Sequence, residues 1–479
     1  MNKYIRAVGF NFFFLAISTI AFLILIPIAI KVMGEEFYGL WAILSSIMIF
    51  SNIGTLGVGT IVNKFVAEET VGDKKEFYGS VLSAGMILVV PMSFLTMAIL
   101  WFSSGLIARS VDVVPALERQ FRQAINLCAV GLLPQYLIKL PQGFLLSQLK
   151  NDRVRFMDLL TNIFPWIGGI FISMIQKNLV WISIWYVVLQ FILLAVYFLL
   201  IRKEISWLIA PNRALWRRIR SFSLFMFLES TAISLFQQFD RVIVGSVLGP
   251  IFAGVYSVGT SVGLRISLLS GQVTQVLVPY SSKLDSQQAG EQLYGTLRTV
   301  SKTISLMVTL VAGVLMLWMW EILSIWISPD YAARYAPVFV VIVLGYSFSG
   351  ISRIGHQSLQ GMGKVKFSSG IYLITTALVL SLLVILPNSF GFFGTGLARL
   401  GTVVLLIYNI VVYRILKPNL WLNDILRDYG IILVLPVVSM ILVFTDSLLV
   451  RTGITILLLI ASAAFALLDK KYYQEIRKQ

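Results

Sequence analysis

Fourteen apolar runs divide the chain, each near the twenty residues a helix needs to cross a hydrocarbon core about 30 Å thick. They lie near residues 10–31, 38–62, 79–104, 123–147, 156–176, 180–201, 222–247, 251–279, 299–326, 337–360, 368–388, 392–415, 430–445 and 453–469. Inside a bilayer no water is available to the backbone, so spanning segments must be helices or a closed barrel. Blocks of this length without strict alternation are helices. Composition agrees. Of 479 residues, 58% are hydrophobic and 13% charged, and the mean hydropathy is +0.87. A soluble domain carries about 25% charged residues. The opening MNKYIRAVGF runs into apolar sequence to about Lys31 without a small-residue cleavage site, so the first span is expected to stay uncleaved.

An even number of spans puts both termini on one side. Counting charges within a few residues of a span's end with the adjoining loop, the loops and tails on that side carry 26 Lys and Arg residues and the opposite side 7, leaving five of the 38 deeper inside spans: Lys139, Arg241, Arg265, Arg353 and Arg399. The positive-inside rule then predicts cytoplasmic termini. The net charge of +16 is thus mainly a topology signal beside anionic lipid, and no nucleic-acid partner is expected. The largest basic stretch, RKEISWLIAPNRALWRRIRSF (202–222), mixes Trp207, Leu215 and Trp216 among its charges and reads as an interfacial helix.

That stretch also separates two halves that echo each other. VMGEEFYGLW (32–41) matches VLGPIFAGVY (247–256), FYGSV (77–81) matches LYGTL (293–297), and RVRF (153–156) matches KVKF (364–367), at offsets of 215, 216 and 211. Each pair falls at the equivalent point of a six-span unit. The expected fold class is therefore all-α integral membrane, with 14 transmembrane helices. Two six-helix bundles are related by a pseudo-two-fold along the membrane normal, and two C-terminal helices follow. The corresponding boundaries are 1–201 for the first lobe, 202–221 for the linker, 222–415 for the second lobe and 416–479 for helices 13–14 and the tail. Gly34, Gly39, Gly249 and Gly254 suit tight turns at the two tips, and Trp41 and Tyr256 are expected at the outer interface.

A single cysteine, Cys128, excludes a disulfide within the chain, and a single histidine, His356, excludes a histidine-based metal site. GMGKVK lacks the spacing of a nucleotide-binding loop. No cofactor, metal or ATP is expected, and no catalytic residue.

VMGEEFYGLW, SNIGTLGVG (51–59) and KFVAEE (64–69) resemble the opening of oligosaccharide flippases of the polysaccharide-transporter, or Wzx, type. FDRVIVGSVLGPIFAGVYSV (239–258) and QGMGKVKF (360–367) resemble their second half. The superfamily also holds the lipid II flippase and MATE drug exporters. Asn52 stands where these proteins often have an aspartate, so no role of that acid carries over. The resemblance implies a non-enzymatic transporter of the bacterial or archaeal cytoplasmic membrane. Its substrate would be a polyprenyl-diphosphate-linked glycan, turned from the cytoplasmic to the outer leaflet by alternating access. Membrane lipids, a coupling proton or sodium ion, and glycan polymerase or export machinery are the partners it implies.

A doubly charged head needs a wet cavity holding a cation. Arg265 lies about 15 residues, or roughly 22 Å, from either end of its span, too deep to snorkel. Facing lipid there would cost at least about 2.5–3.5 kcal/mol. Ser261, Arg265, Gln272 and Gln275 share an arc of about 80° on one helix. That stripe reads as a cavity wall, or else Arg265 pairs with Asp240 or Glu229 as a structural ion pair. The resemblance carries a cavity arginine to this span, though not to this residue. Lys139 and Arg353 occupy matching places in spans 4 and 10. LPQYLIKLPQ (133–142) around Lys139 suits a kinked gate helix or ordinary packing. Arg399 is expected to snorkel from near the end of span 12. Asp240 and Glu229 are candidates for coupling-ion binding, or Asp240 simply locks its bundle. His356 reads as an interior residue.

The alternative function is a cation-coupled drug or small-molecule antiporter of MATE type, for which Asp158 is the intramembrane acid of the first half. A glycan polymerase or ligase would need a large outer loop with catalytic groups. The longest outer loop, 105–122, holds only Asp112 and Glu118 as acids.

Overall fold

The computed structural model describes residues 2–206, 239–274 and 290–430, with short interruptions, and a few residues near 213–219, 277–281 and 452–456. Among the described residues the chain is helical, without strands. Eleven helices there are long and apolar enough to cross a membrane. They coincide with expected spans 1–6 and 8–12. Spans 7, 13 and 14 fall partly or wholly outside the described residues.

The chain forms two compact units, Met1–Val255 and Tyr256–Gln479. The first begins with α1 (Asn2–Met33), α2 (Glu35–Phe50), a 3-10 turn (Ser51–Thr55) and α3 (Val58–Glu68). Then come α4 (Lys74–Ser110), α5 (Pro115–Val130), α6 (Leu132–Ser147), α7 (Asn151–Ile175) and α8 (Leu179–Ile201). Residues 239–248 form α9, and α10 (Pro250–Thr274) carries the chain into the second unit. There α11 (Gly290–Leu317), α12 (Met319–Trp326), α13 (Pro329–Gly361) and α14 (Val365–Phe390) follow. After α15 (Phe393–Arg399) and a 3-10 stretch (Leu400–Leu406) come α16 (Ile407–Leu416) and α17 (Trp421–Tyr429).

Each unit sorts its helices by burial. In the first, α2 is largely buried while α1, α4, α7 and α8 leave most of their length exposed. In the second, α13 is almost wholly buried and α14 mostly exposed. The exposed surface carries large apolar side chains such as Phe102, Phe171, Ile325 and Ile374. In water such a surface would aggregate. Against lipid it costs nothing, as a chain with membrane-spanning helices allows.

The sequence echoes have local structural counterparts. Both tips turn at a glycine with positive φ, Gly34 at 85° and Gly249 at 92°, where an L side chain would be strained. In each, the next helix starts at the following residue, with Glu35 and Glu36 in the first turn of α2 and Pro250 opening α10. Acids and proline both suit a helix start. FYGSV and LYGTL likewise each begin three residues into their helices, α4 and α11. Within the first unit the tips meet: a Cβ on Gly254 would sit 2.9 Å from Gly39 Cα, and one on Gly39 would strike the Pro250 carbonyl. Trp41, on the opposite face of α2 from Gly39, is 4% exposed and Tyr256 is fully buried. The expected interfacial placement of these two rings is corrected: both are enclosed by protein.

Small residues also let α3 and α6 touch backbone to backbone, because a Cβ on Gly143 would collide with Gly59. Membrane helices associate through such contacts, having no hydrophobic drive of their own. In the second unit Asn409 ties α16 to α13, accepting from Gly355 N at 2.8 Å and donating to Ile351 O at 3.2 Å. Of the expected interfacial linker, residues 215–219 are helical, with Leu215 and Ile219 buried and Arg218 over the Phe65 ring.

Candidate functional site

Helices α2, α6, α7 and α8 of the first unit, with Cys128 of α5, line a cavity of about 340 Å³. Each contributes a stripe at helical spacing, the only way a helix can put several side chains on one wall. From α6 come Gln135, Lys139 and Gln142; from α7, Asp158, Asn162 and Trp166; from α8, Tyr186, Gln190 and Tyr197; from α2, Trp41, Ser45 and Met48. The size lies within the range of small-ligand sites, about 300–1,000 Å³.

A hydrogen-bonded relay crosses the cavity. Lys139 Nζ donates to Gln142 Oε1 at 3.2 Å, and Gln142 Nε2 donates to Asp158 Oδ1 at 2.9 Å. Arg155 Nη1 reaches Asp158 Oδ2 at 3.3 Å. The lysine and the aspartate are thus linked through an amide rather than in direct contact, and their charges offset each other on the cavity wall. Tyr186 donates to Gln135 Oε1 at 3.1 Å. Trp41 Nε1 and Gln190 Oε1 are buried on the same wall without a hydrogen-bond partner among the described residues.

The remaining sequence candidates lie elsewhere. Arg265 and Ser261 are half-buried, one helical turn apart on α10, so they share a face as their spacing requires. Gln272 continues that helix but its side chain, like the whole of Gln275 and Glu229, lies outside the described residues. Arg353, on α13, donates through Nε to Ser267 Oγ of α10 at 2.9 Å, with Gly271 beside its guanidinium. His356 packs edge-on against Tyr408 and near Tyr372, as an interior residue would. Asp240 is fully buried and its Oδ1 accepts from Arg241 N at 2.7 Å. Arg241 reaches Ser46 Oγ at 3.4 Å.

Arg399 departs from expectation. Instead of snorkelling it is 1% exposed, donating to Tyr346 Oη with its guanidinium 4.6 Å from that ring's centroid. Gly345 makes this possible, since a Cβ there would lie 2.7 Å from the Arg399 carbonyl oxygen. Cation–π and hydrogen-bond contacts replace the water that snorkelling would have found.

Sequence reasoning singled out Lys139 but missed the wall opposite it: Trp41, Asn162, Trp166 and Gln190. A signal existed. Amides at 135, 142, 162 and 190 are costly inside apolar runs, and those within one run recur at helical spacing.

Comparison with known proteins places this architecture. A MATE-family multidrug resistance transporter of the MOP superfamily, solved facing inward, superposes with a TM-score of 0.70 and 13% identity, over 86% of this chain and 94% of that one. The lipid II flippase MurJ, in an inward closed conformation, gives 0.68 and 15%, over 96% and 99%. At such identity the likeness establishes the fold that these transporters share. A curated Shigella flexneri protein named "Putative O-antigen transporter" is 22% identical over 186 residues, a match spanning 38% of this chain and 43% of that protein. The family model described as polysaccharide biosynthesis protein matches residues 31–312. That is more than half of the sequence, and the chain belongs to this family of membrane proteins.

Proposed function

We propose that the protein is a flippase that moves a polyprenyl-diphosphate-linked oligosaccharide from the cytoplasmic to the outer leaflet. The observation that carries this reading is the family match over residues 31–312, joined to the sign of the charges found within apolar helices. Lys139, Arg265 and Arg353 are cations on spanning segments, each partly or largely shielded. Such groups are rare in hydrocarbon and mark substrate paths. An anionic diphosphate headgroup is the substrate they suit.

In this reading residues 1–201 and 222–415 are duplicated lobes that alternate access, joined by 202–221 and followed by helices 13–14 and the tail in 416–479, with both termini cytoplasmic. The repeat supports the duplication, and the 26 to 7 distribution of basic residues supports the orientation. Arg265, with Ser261, Gln272 and Gln275 on its face, meets the diphosphate, and Lys139 and Arg353 add to the basic field. Asp240 and Glu229 are the candidates for ion coupling. Glycan polymerase or export machinery would receive the flipped product. The antiporter alternative has the fold in its favour but not the family match.

The test is translocation of a fluorescent lipid-diphosphate-linked glycan in proteoliposomes. A charge-assisted contact is worth about 1.5–3 kcal/mol, so Arg265→Ala should slow transport by about ten- to a hundredfold while the protein still inserts. Wild-type rates in a properly inserted variant would remove Arg265 from the path.

A further inference from the structure

The first-unit cavity has a chemistry distinct from that of a phosphate site. Lys139 and Asp158 both line it, bridged by Gln142. A dianion entering there would gain from one and be repelled by the other. A bare metal cation would meet the lysine and, among the described residues, no cluster of three or more His, Cys, Asp or Glu able to hold it. A wholly apolar guest would leave the Trp41 indole N–H and the Gln190 amide oxygen buried and unpaired, at 4% and 2% exposure. Such a burial is costly.

What suits these walls is a neutral molecule dense in hydroxyls with a flat apolar face. Trp166 is braced by Tyr38, ring centroids 6.0 Å apart, so the indole is held in place as a platform. Aromatic faces accept the C–H-rich face of a ring, and amides can both donate to and accept from hydroxyls. Gln135, Gln142, Asn162 and Gln190 surround that platform. Asn162 and Ile49 line the cavity and are exposed.

We propose that this cavity is a sugar subsite that takes one ring of the glycan, separate from Arg265, which meets the diphosphate. Trp166 supplies the stacking face. Trp41 Nε1 and Gln190 Oε1, closed off by their neighbours in this conformation, hydrogen-bond ring hydroxyls once an entering sugar parts the wall, and the Lys139–Gln142–Asp158 relay orients the amide between them. This assignment rests on the flippase reading. It makes the first unit a reader of sugar identity, so the chain selects its glycan as well as its lipid-diphosphate anchor.

The probe is the glycan itself, released from its lipid by mild acid from cells that make the precursor. Binding to the detergent-purified full chain is followed by tryptophan fluorescence, with inorganic pyrophosphate as competitor. Wild type should bind the glycan, and pyrophosphate should not displace it. Trp41→Phe, which keeps the ring and deletes the donor, and Gln190→Leu should each weaken binding by about tenfold. Both variants should unfold thermally close to the wild-type temperature without glycan: each removes a buried unpaired atom, offset by the ring volume lost at Trp41 and by the amide's contact with Tyr186 lost at Gln190. Absence of wild-type binding, displacement by pyrophosphate, or unaltered affinity in both variants would overturn the proposal. Loss of thermal stability in both would assign these atoms to structure instead, and overturn it equally. Translocation in liposomes separates this from the parent reading. A wild type that fails to flip the lipid-linked glycan defeats the flippase assignment, whereas variants that flip it at the wild-type rate defeat only the sugar subsite.

Discussion

Asp428 shows what a single side chain does in this protein. It is fully buried at the end of α17, accepts from Arg298 Nε at 3.2 Å and from Tyr413 Oη at 2.9 Å. Arg298 itself is 7% exposed. Removing one partner of a buried pair strands the other charge, at about 3–5 kcal/mol. Asp428→Ala should therefore lower the thermal midpoint in detergent well below that of Glu291→Ala, whose pair with Lys417 is solvent-exposed at 3.6 Å and worth about 0–1 kcal/mol. Equal midpoints would deny the clamp. Burial raises the Asp428 carboxyl above its ordinary range, against the pull of Tyr413, Arg298 and Arg427. The folded chain then holds that proton more tightly than the unfolded one. Its contribution to stability is full below the ordinary carboxylate pKa and is lost as pH rises through the folded value. Asp428→Asn should flatten that part of the stability–pH profile, read by thermal scans from acid to neutral pH.

At the residue scale the sequence was legible where a charge interrupted an apolar run, as at Lys139, Arg353 and Asp158. It was less so where the outcome depended on a partner far along the chain. Position in a span gave Arg399 an escape route to water, but Gly345 and Tyr346 on another helix provided a closer one. Trp41 reads as an interface anchor by its place beside a tip. The helices that share its cavity, α6, α7 and α8, come far later in the chain, and closeness of that kind leaves no mark in local composition.

At the scale of elements, length and apolarity fixed most helices, because hydrocarbon leaves a backbone few other options. What they could not reveal is which pairs touch closely. The α3–α6 crossing depends on Gly59 facing Gly143 with no room for a Cβ. Gly143→Val should force the two helices apart and cost about 1–3 kcal/mol, seen as a lower melting temperature. Gly295→Ala, where nothing lies within 4 Å of the new methyl, should not lower it. A Gly143→Val protein as stable as wild type would mean the crossing tolerates separation. The element missed by hydropathy is α17. Its acids Asp424 and Asp428 are buried while Leu422 and Leu426, at the same spacing, are exposed. An inside-out helix of nine residues beside a bilayer has no signature in a hydropathy scan.

At the scale of the molecule, the polysaccharide-biosynthesis family match over residues 31–312 and a fold shared with MATE and MurJ transporters are what the proposed transport of a lipid-linked glycan rests on. In that proposal Arg265 and Arg353 favour an anionic cargo over a cationic drug, which they would repel, while the charge of Lys139 is offset by Asp158. The most direct measurement sets the two cargoes side by side in one preparation of proteoliposomes. A fluorescent polyprenyl-diphosphate glycan and a fluorescent quaternary-ammonium dye are each followed across the bilayer. The glycan should become accessible on the far side at a protein-dependent rate, with the dye crossing no faster than in empty liposomes. Protein-dependent movement of the dye, with the glycan held in its original leaflet, would contradict the account.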